Sequence, residues 1–147
     1  MKLFSILTLL GFISDISSKI WAQNFLQNND VLFYNFFGFT LRYNPGIAFS
    51  IPVTGVFQIV LSLALLGVLL HYAHTYWKWK ITFVNISLAM ITGGALGNLY
   101  ERILFSSVTD FLQIAPWFPI FNIADMLIFF GVVLLLLYEN KFSIFTK

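Results

Sequence analysis

Two aspartates, Asp110 and Asp125, lie fifteen residues apart across a turn containing Pro116 and Pro119. Two carboxylates brought together in a low-dielectric site cannot both ionise comfortably, so one pKa rises and they share a proton. The ionised member can then take a proton from water while the protonated member gives one to a carbonyl oxygen or leaving amine. That is aspartic-peptidase chemistry without a metal. The same pair near a membrane equally suits proton or cation transport, and spacing alone does not choose. Other nucleophiles are scarce. The chain has no cysteine, which removes thiolate nucleophiles, disulfides and thiolate zinc sites together. A serine–lysine arrangement would need a Ser beside Lys19, but Ser18 points elsewhere on its helix and Ser50 is a loop residue. His71 and His74 sit at i,i+3 with no third ligand nearby, and read as interfacial anchors. No metal site and no cofactor is expected.

A second set of polar residues shares helical faces. Asp15 and Lys19 are four apart, in the acid-then-base order that suits an ion pair on a helix. Gly94, Asn98 and Arg102 also repeat at four, and Gly93 and Gly97 add a close-packing surface to the same helix. Asn122 and Asp125 share a face at the start of another. Asp15–Lys19 reads as structural or substrate-orienting. Asn98 and Arg102 either snorkel to an interface or hold a substrate or loop.

The elements that position these groups follow from composition. The 147 residues are 59% hydrophobic and 10% charged, with mean hydropathy +0.87 and 18 phenylalanines. Soluble domains carry roughly 25% charged residues. A soluble enzyme, a disordered tail and a nucleic-acid binder are excluded, the last for want of a basic stripe. What remains is an all-α membrane protein with four transmembrane helices, at about residues 3–22, 56–75, 81–101 and 120–139, forming a single integral membrane domain over 1–147. The fourth run reaches spanning length only if it starts near Ile120, which draws Asp125 inside it. Lys2, Lys78, Lys80, Lys141 and Lys147 mark one side, which places both termini in the cytoplasm. Tyr72, Tyr76, Trp77 and Trp79 form an aromatic belt there. A signal-like start at Lys2–Ile13 lacks a small-residue cleavage site, so it is expected to stay as the first span.

The outer connections hold the interest. Residues 24–55 are too many for a turn, and Val31–Tyr43 is rich in Phe, Tyr and Val, so a small β-rich extracytoplasmic loop domain is expected between helices one and two. Tyr43-Asn44-Pro45-Gly46 reads as a turn. Asp110 is expected in the short outer connection between spans three and four. In this topology all the polar groups above converge in the outer half of the membrane.

Four blocks, in order along nearly the whole chain, carry a resemblance. They are Asp15 and Lys19 in SDISSKIWAQ; Asn44-Pro45-Gly46-Ile47-Ala48-Phe49-Ser50; Gly93-Gly94-Ala95-Leu96-Gly97-Asn98-Leu99 with Arg102 and Val108-Thr109-Asp110-Phe111; and Phe121-Asn122-Ile123-Ala124-Asp125. Together they resemble the lipoprotein signal peptidases, the type II signal peptidases of bacteria. The resemblance implies an aspartic endopeptidase of the bacterial cytoplasmic membrane, with its site facing the extracytoplasmic side. Its substrate would be a prolipoprotein, cut on the amino side of a cysteine already carrying diacylglycerol. It puts the catalytic dyad on Asp110 and Asp125. Substrate-binding or dyad-orienting positions fall on Asp15, Lys19, Asn44, Gly46, Asn98, Arg102 and Asn122. The expected partners are lipidated signal peptides and membrane lipids, with no nucleic acid, and the protein is expected to be a monomer. Glu101 stands where the family more often has Asp, and Met90 where another Gly is usual.

Overall fold

The structure is a computed structural model that describes residues 2–27, 30–34, 36–46, 55–76 and 82–145, the last seven as backbone only. Ile47–Ser50, Trp77, Lys78, Trp79, Lys80 and Lys147 therefore lie outside the described residues. The order of elements is α1 (Lys2–Phe25), β1 (Val31–Phe33), β2 (Phe37–Asn44), α2 (Val56–Tyr76), α3 (Thr82–Phe105), β3 (Val108–Gln113) and α4 (Ile123–Phe145). At 1.5 Å per residue, a helix of 24 residues is about 36 Å long, beyond the roughly 30 Å of a bilayer's hydrocarbon. Among the described residues, α1, α2 and α3 are long and apolar enough to cross a membrane, and Ile123–Tyr138 is a shorter apolar stretch. The helices overrun the expected spans at several ends, because polar residues such as Gln23 and Arg102 find partners there and need not leave the helix.

Helix α3 is the centre of the bundle, packed between α1 and α4. Small residues let the backbones meet, as they do where helices pack without water to drive them. A side chain at Gly93 would meet the Thr8 carbonyl of α1 at 2.8 Å, and one at Gly94 the Ala124 carbonyl of α4 at 2.5 Å. Gly131 repeats the device on α4, facing Ser87 and Ile91. Ala73, Val84, Leu88, Ile91 and Leu135 close an apolar cluster at one end of the bundle. Large apolar side chains on α1, α2 and α4 face outward, where lipid is their solvent.

The β-structure expected over Val31–Tyr43 is present, as β1 and β2 paired antiparallel with Leu32 opposite Gly38. Gly38 has no room for a Cβ, because the Val31 carbonyl occupies that space. The expectation of a β-rich unit formed between helices one and two needs correction. The sheet has three strands in the order β1-β2-β3, and its third strand comes from the α3–α4 connection. Asp110, in the connection between α3 and α4 as expected, therefore sits on a strand. Val108 to Phe111 are buried because β3 lies between β2 and the ends of α1 and α3. On its far side Leu112 bridges Phe121, whose carbonyl accepts from both Phe111 N and Leu112 N. That bridge brings the start of α4 beside β3.

Candidate active site

The ladder between β2 and β3 sets Arg42 opposite Asp110 and Asn44 opposite Val108. Side chains two apart on a strand share a face, so Asn44 reaches Asp110 diagonally. Its Nδ2 donates to Asp110 Oδ2 at 3.1 Å. Arg42 turns outward and lies 3.7 Å from Asp30, both largely exposed. Asn122 Nδ2 donates to Asp110 Oδ1 at 2.6 Å, so each oxygen of this carboxylate has an amide partner.

Asp125 is positioned by the start of its own helix. Asn122 Oδ1 accepts from Asp125 N at 2.9 Å, and Asp125 Oδ2 accepts from Asn122 N at 3.2 Å. This is a capping box, with both residues satisfying orphan donors of α4. It corrects the expected start of the fourth helix from about Ile120 to Ile123. The other Asp125 oxygen, Oδ1, accepts from Asn98 Nδ2 of α3 at 2.8 Å.

Asn98 joins the two halves. Its Oδ1 accepts from Lys19 Nζ at 2.8 Å and from Asn122 Nδ2 at 3.2 Å. Lys19, 1% exposed, also pairs with Asp15 at 2.7 Å and with Glu101 at 3.4 Å. Asp15 Oδ1 accepts from Ala124 N at 2.8 Å, so one carboxylate serves α1 and the first turn of α4. Gly97 makes this possible: a Cβ there would overlap the Asp15 carboxylate. An ammonium buried this deeply is tolerated only when paired and hydrogen-bonded, as it is here.

Gly46 follows Asn44 in the turn. Its N donates to Asn44 Oδ1 at 2.9 Å, and its carbonyl accepts from Gln58 Nε2 at 2.5 Å and from Arg102 NH2 at 3.5 Å. Asp15, Lys19, Asn44, Gly46, Asn98, Arg102, Asp110, Asn122 and Asp125 thus belong to one connected region supplied by α1, β2 and its turn, α3, β3 and α4. Burial, and after it the nearby charge of Asp125, pushes the Asp110 carboxyl from 3.8 up to about 7, against the opposing effect of the bonds from Asn44 and Asn122 and the Lys19 charge. A carboxylic acid that holds its proton near neutrality beside a second carboxylate can serve acid–base chemistry.

Three further residues in this region were given no role in the sequence reading, and a fourth, Glu101, was noted only as keeping a charge where the family more often has Asp. Gln23 Nε2 donates to Thr109 Oγ1 at 2.7 Å and to Glu101 Oε1 at 3.2 Å. Glu101 accepts from Thr109 N and Oγ1, both at 2.8 Å, and so clamps β3 onto α3 next to Asp110. Gln58 is 2% exposed at the start of α2. Its signal was available: with Ser62 it is the only hydrogen-bonding side chain of α2 before His71. Gln23 gave none, since it lies near the end of α1 where polar residues are ordinary, and neither did Thr109, whose strand has no local mark.

The Peptidase_A8 family, described as signal peptidase (SPase) II, matches residues 7–141. The lipoprotein signal peptidase of Moorella thermoacetica is 37% identical over 134 residues, covering 90% of this chain and 89% of its own. That of Clostridium novyi is 35% identical over 150 residues, covering 92% of this chain and 98% of its own. A solved structure described as a bacterial membrane enzyme shares the fold, with a TM-score of 0.87 over 100% of this chain and 93% of that one, at 24% identity.

Proposed function

The chain belongs to the signal peptidase II family, multi-pass membrane peptidases that remove signal peptides from prolipoproteins, and we propose that Asp110 and Asp125 are its catalytic dyad. The observation that carries this reading is the pair of amide bridges. Asn122 ties Asp110 to Asn98, and Asn98 donates to Asp125, so two carboxylates from different elements are held in one hydrogen-bonded frame.

In the mechanism, one carboxylate is ionised and the other protonated. The ionised member takes a proton from a water whose oxygen attacks the scissile carbonyl carbon. The protonated member gives its proton to the carbonyl oxygen, which becomes a hydroxyl of a tetrahedral intermediate. Collapse breaks the C–N bond, and a proton returned by the dyad leaves with the amine. The pair titrates as a unit, so the roles of base and acid belong to the dyad. Asn44, Asn98 and Asn122 orient the carboxylates, Asp15 and Lys19 hold α1 and α4 at their places, and Arg102 and Gly46 shape the turn beside the peptide.

The cut falls on the amino side of a diacylglyceryl cysteine, whose lipid chains stay in the bilayer. We place the protein in the bacterial cytoplasmic membrane as a monomeric single domain of four spans, α4 being the fourth. Both termini are cytoplasmic and the dyad faces the outer side. The test is direct. Purified protein in detergent is given a diacylglyceryl prolipoprotein, and the shortened product is read by mass. Asp110→Asn and Asp125→Asn each lower the rate by about a hundred- to ten-thousand-fold. Full product from either variant sinks the dyad, as does no product from the wild type.

A further inference from the structure

Helix α2 stands apart from the rest of the bundle. Apart from Ala73, its one buried side chain is Gln58, in its first turn. Its Nε2 is directed out of its own helix, to the Gly46 carbonyl, twelve residues back. Gly46 N in turn donates to Asn44 Oδ1, which fixes the rotation of that amide and leaves Nδ2 facing Asp110 Oδ2. Three hydrogen bonds therefore run in series from α2 to a carboxylate of the proposed dyad.

We propose that Gln58 is a positioning residue for the reaction: it holds the Asn44–Gly46 turn, and through Asn44 it sets the Asp110 carboxylate. The proposal rests on the dyad reading, since a passive Asp110 would leave Gln58 nothing to position. Arg102 gives the same carbonyl a longer and weaker contact at 3.5 Å, so it does not replace Gln58. Burying an amide on a lipid-facing helix is costly unless it is hydrogen-bonded, and this one is spent on a carbonyl outside its own helix.

The test uses the full chain in detergent with a diacylglyceryl prolipoprotein. Gln58→Met, which keeps the volume and removes the donor, lowers kcat about tenfold with KM changed less than about twofold. Its pH–rate profile moves to higher pH, because a loosened Asn44 no longer favours the ionised form of Asp110. The other charged groups that face Asp110, namely Asp125 from α4, Lys19 from α1 and Arg102 from α3, are untouched. In combination with Asn44→Ala, Gln58→Met adds no further loss, since both cut one series of bonds. Wild-type kcat and profile in Gln58→Met, or losses that multiply in the double variant, overturn the proposal. Should the apolar side chain prevent folding, Gln58→Asn keeps an amide that falls one carbon short, and the same two criteria apply to it. Activity surviving in Asp110→Asn would sink the dyad itself. An inactive Asp110→Asn beside an unaltered Gln58→Met would sink only the role of Gln58.

Discussion

Helices α2 and α3 are both apolar and both long enough to cross a membrane, yet they use their residues in opposite ways. Helix α3 buries thirteen residues, among them Asn85, Asn98 and Glu101, and meets its neighbours through Gly93, Gly94 and Gly97. Helix α2 buries two and turns Val60, Leu63, Leu65 and Val68 outward. Since lipid is as apolar as leucine, a helix gains little by hiding leucine from it. What is worth hiding in a membrane is polarity and close backbone contact. The more apolar helix is therefore the peripheral one, and the helix with glycines and amides is the core.

That contrast can be tested by its extremes. The largest effect belongs to Asp110, which β3 carries against α3. Its folded pKa, raised to about 7, means the folded state holds a proton that the unfolded chain releases near 3.8. The contribution of Asp110 to wild-type stability therefore falls as pH rises from about 4 through about 7 and is level above that. Asp110→Asn removes this dependence, so its stability relative to wild type rises across the same window. Unfolding in detergent at pH 5 and pH 8 measures it, and a difference of opposite sign would break the account of the buried site.

Next in size is Asn98→Ala on α3. It removes the donor to Asp125 and the acceptor for Lys19 and Asn122, and lowers kcat by about a hundredfold. Leu65→Ala on α2 is the control, with unchanged turnover and stability within about 0.5 kcal/mol. Equal effects of the two would erase the distinction between the helices. A third comparison sets glycine against glycine. Gly97→Ala drives a methyl into the Asp15 carboxylate and costs about 1–3 kcal/mol. Gly67→Ala on α2 meets nothing within 4 Å and gains about 0.4–1 kcal/mol through a less flexible unfolded chain. Denaturation midpoints of the two variants should move in opposite directions. The smallest effect is Asp30→Asn, which removes the exposed partner of Arg42 and shifts stability by about 0–1 kcal/mol, vanishing in high salt.

Much of the site could be read from the sequence because a membrane makes polarity conspicuous. In a chain with so few charges, Asp15, Lys19, Asp110 and Asp125 each demanded a reason, and helical spacing put Asn98 with Arg102 and Asn122 with Asp125. Gln23 did not stand out because a helix end routinely carries an amide, and Thr109 because nothing local marks its strand as buried, whereas Gln58 was conspicuous on an apolar helix and was passed over. Strand β3 was hidden for another reason. Val108–Gln113 is short, and nothing local says that it pairs with β2, some seventy residues earlier in the chain. The pairing is a tertiary fact, and it decides that Asp110 sits on a rigid strand. The hairpin over Val31–Tyr43 was readable because its two strands are adjacent and share one turn.

The amide of Asn98 has a direction. Its oxygen faces the Lys19 ammonium and its nitrogen faces the Asp125 carboxylate, so the group lies like a compass needle between a fixed cation and an anion. The ammonium draws electron density toward Oδ1, which leaves the Nδ2 hydrogens more positive and their bond to Asp125 stronger. Lys19 thereby acts on Asp125 without touching it. The intermediary carries no titratable proton of its own, so the link itself stays in place while the dyad gains and loses protons, and it is strongest when Asp125 is ionised.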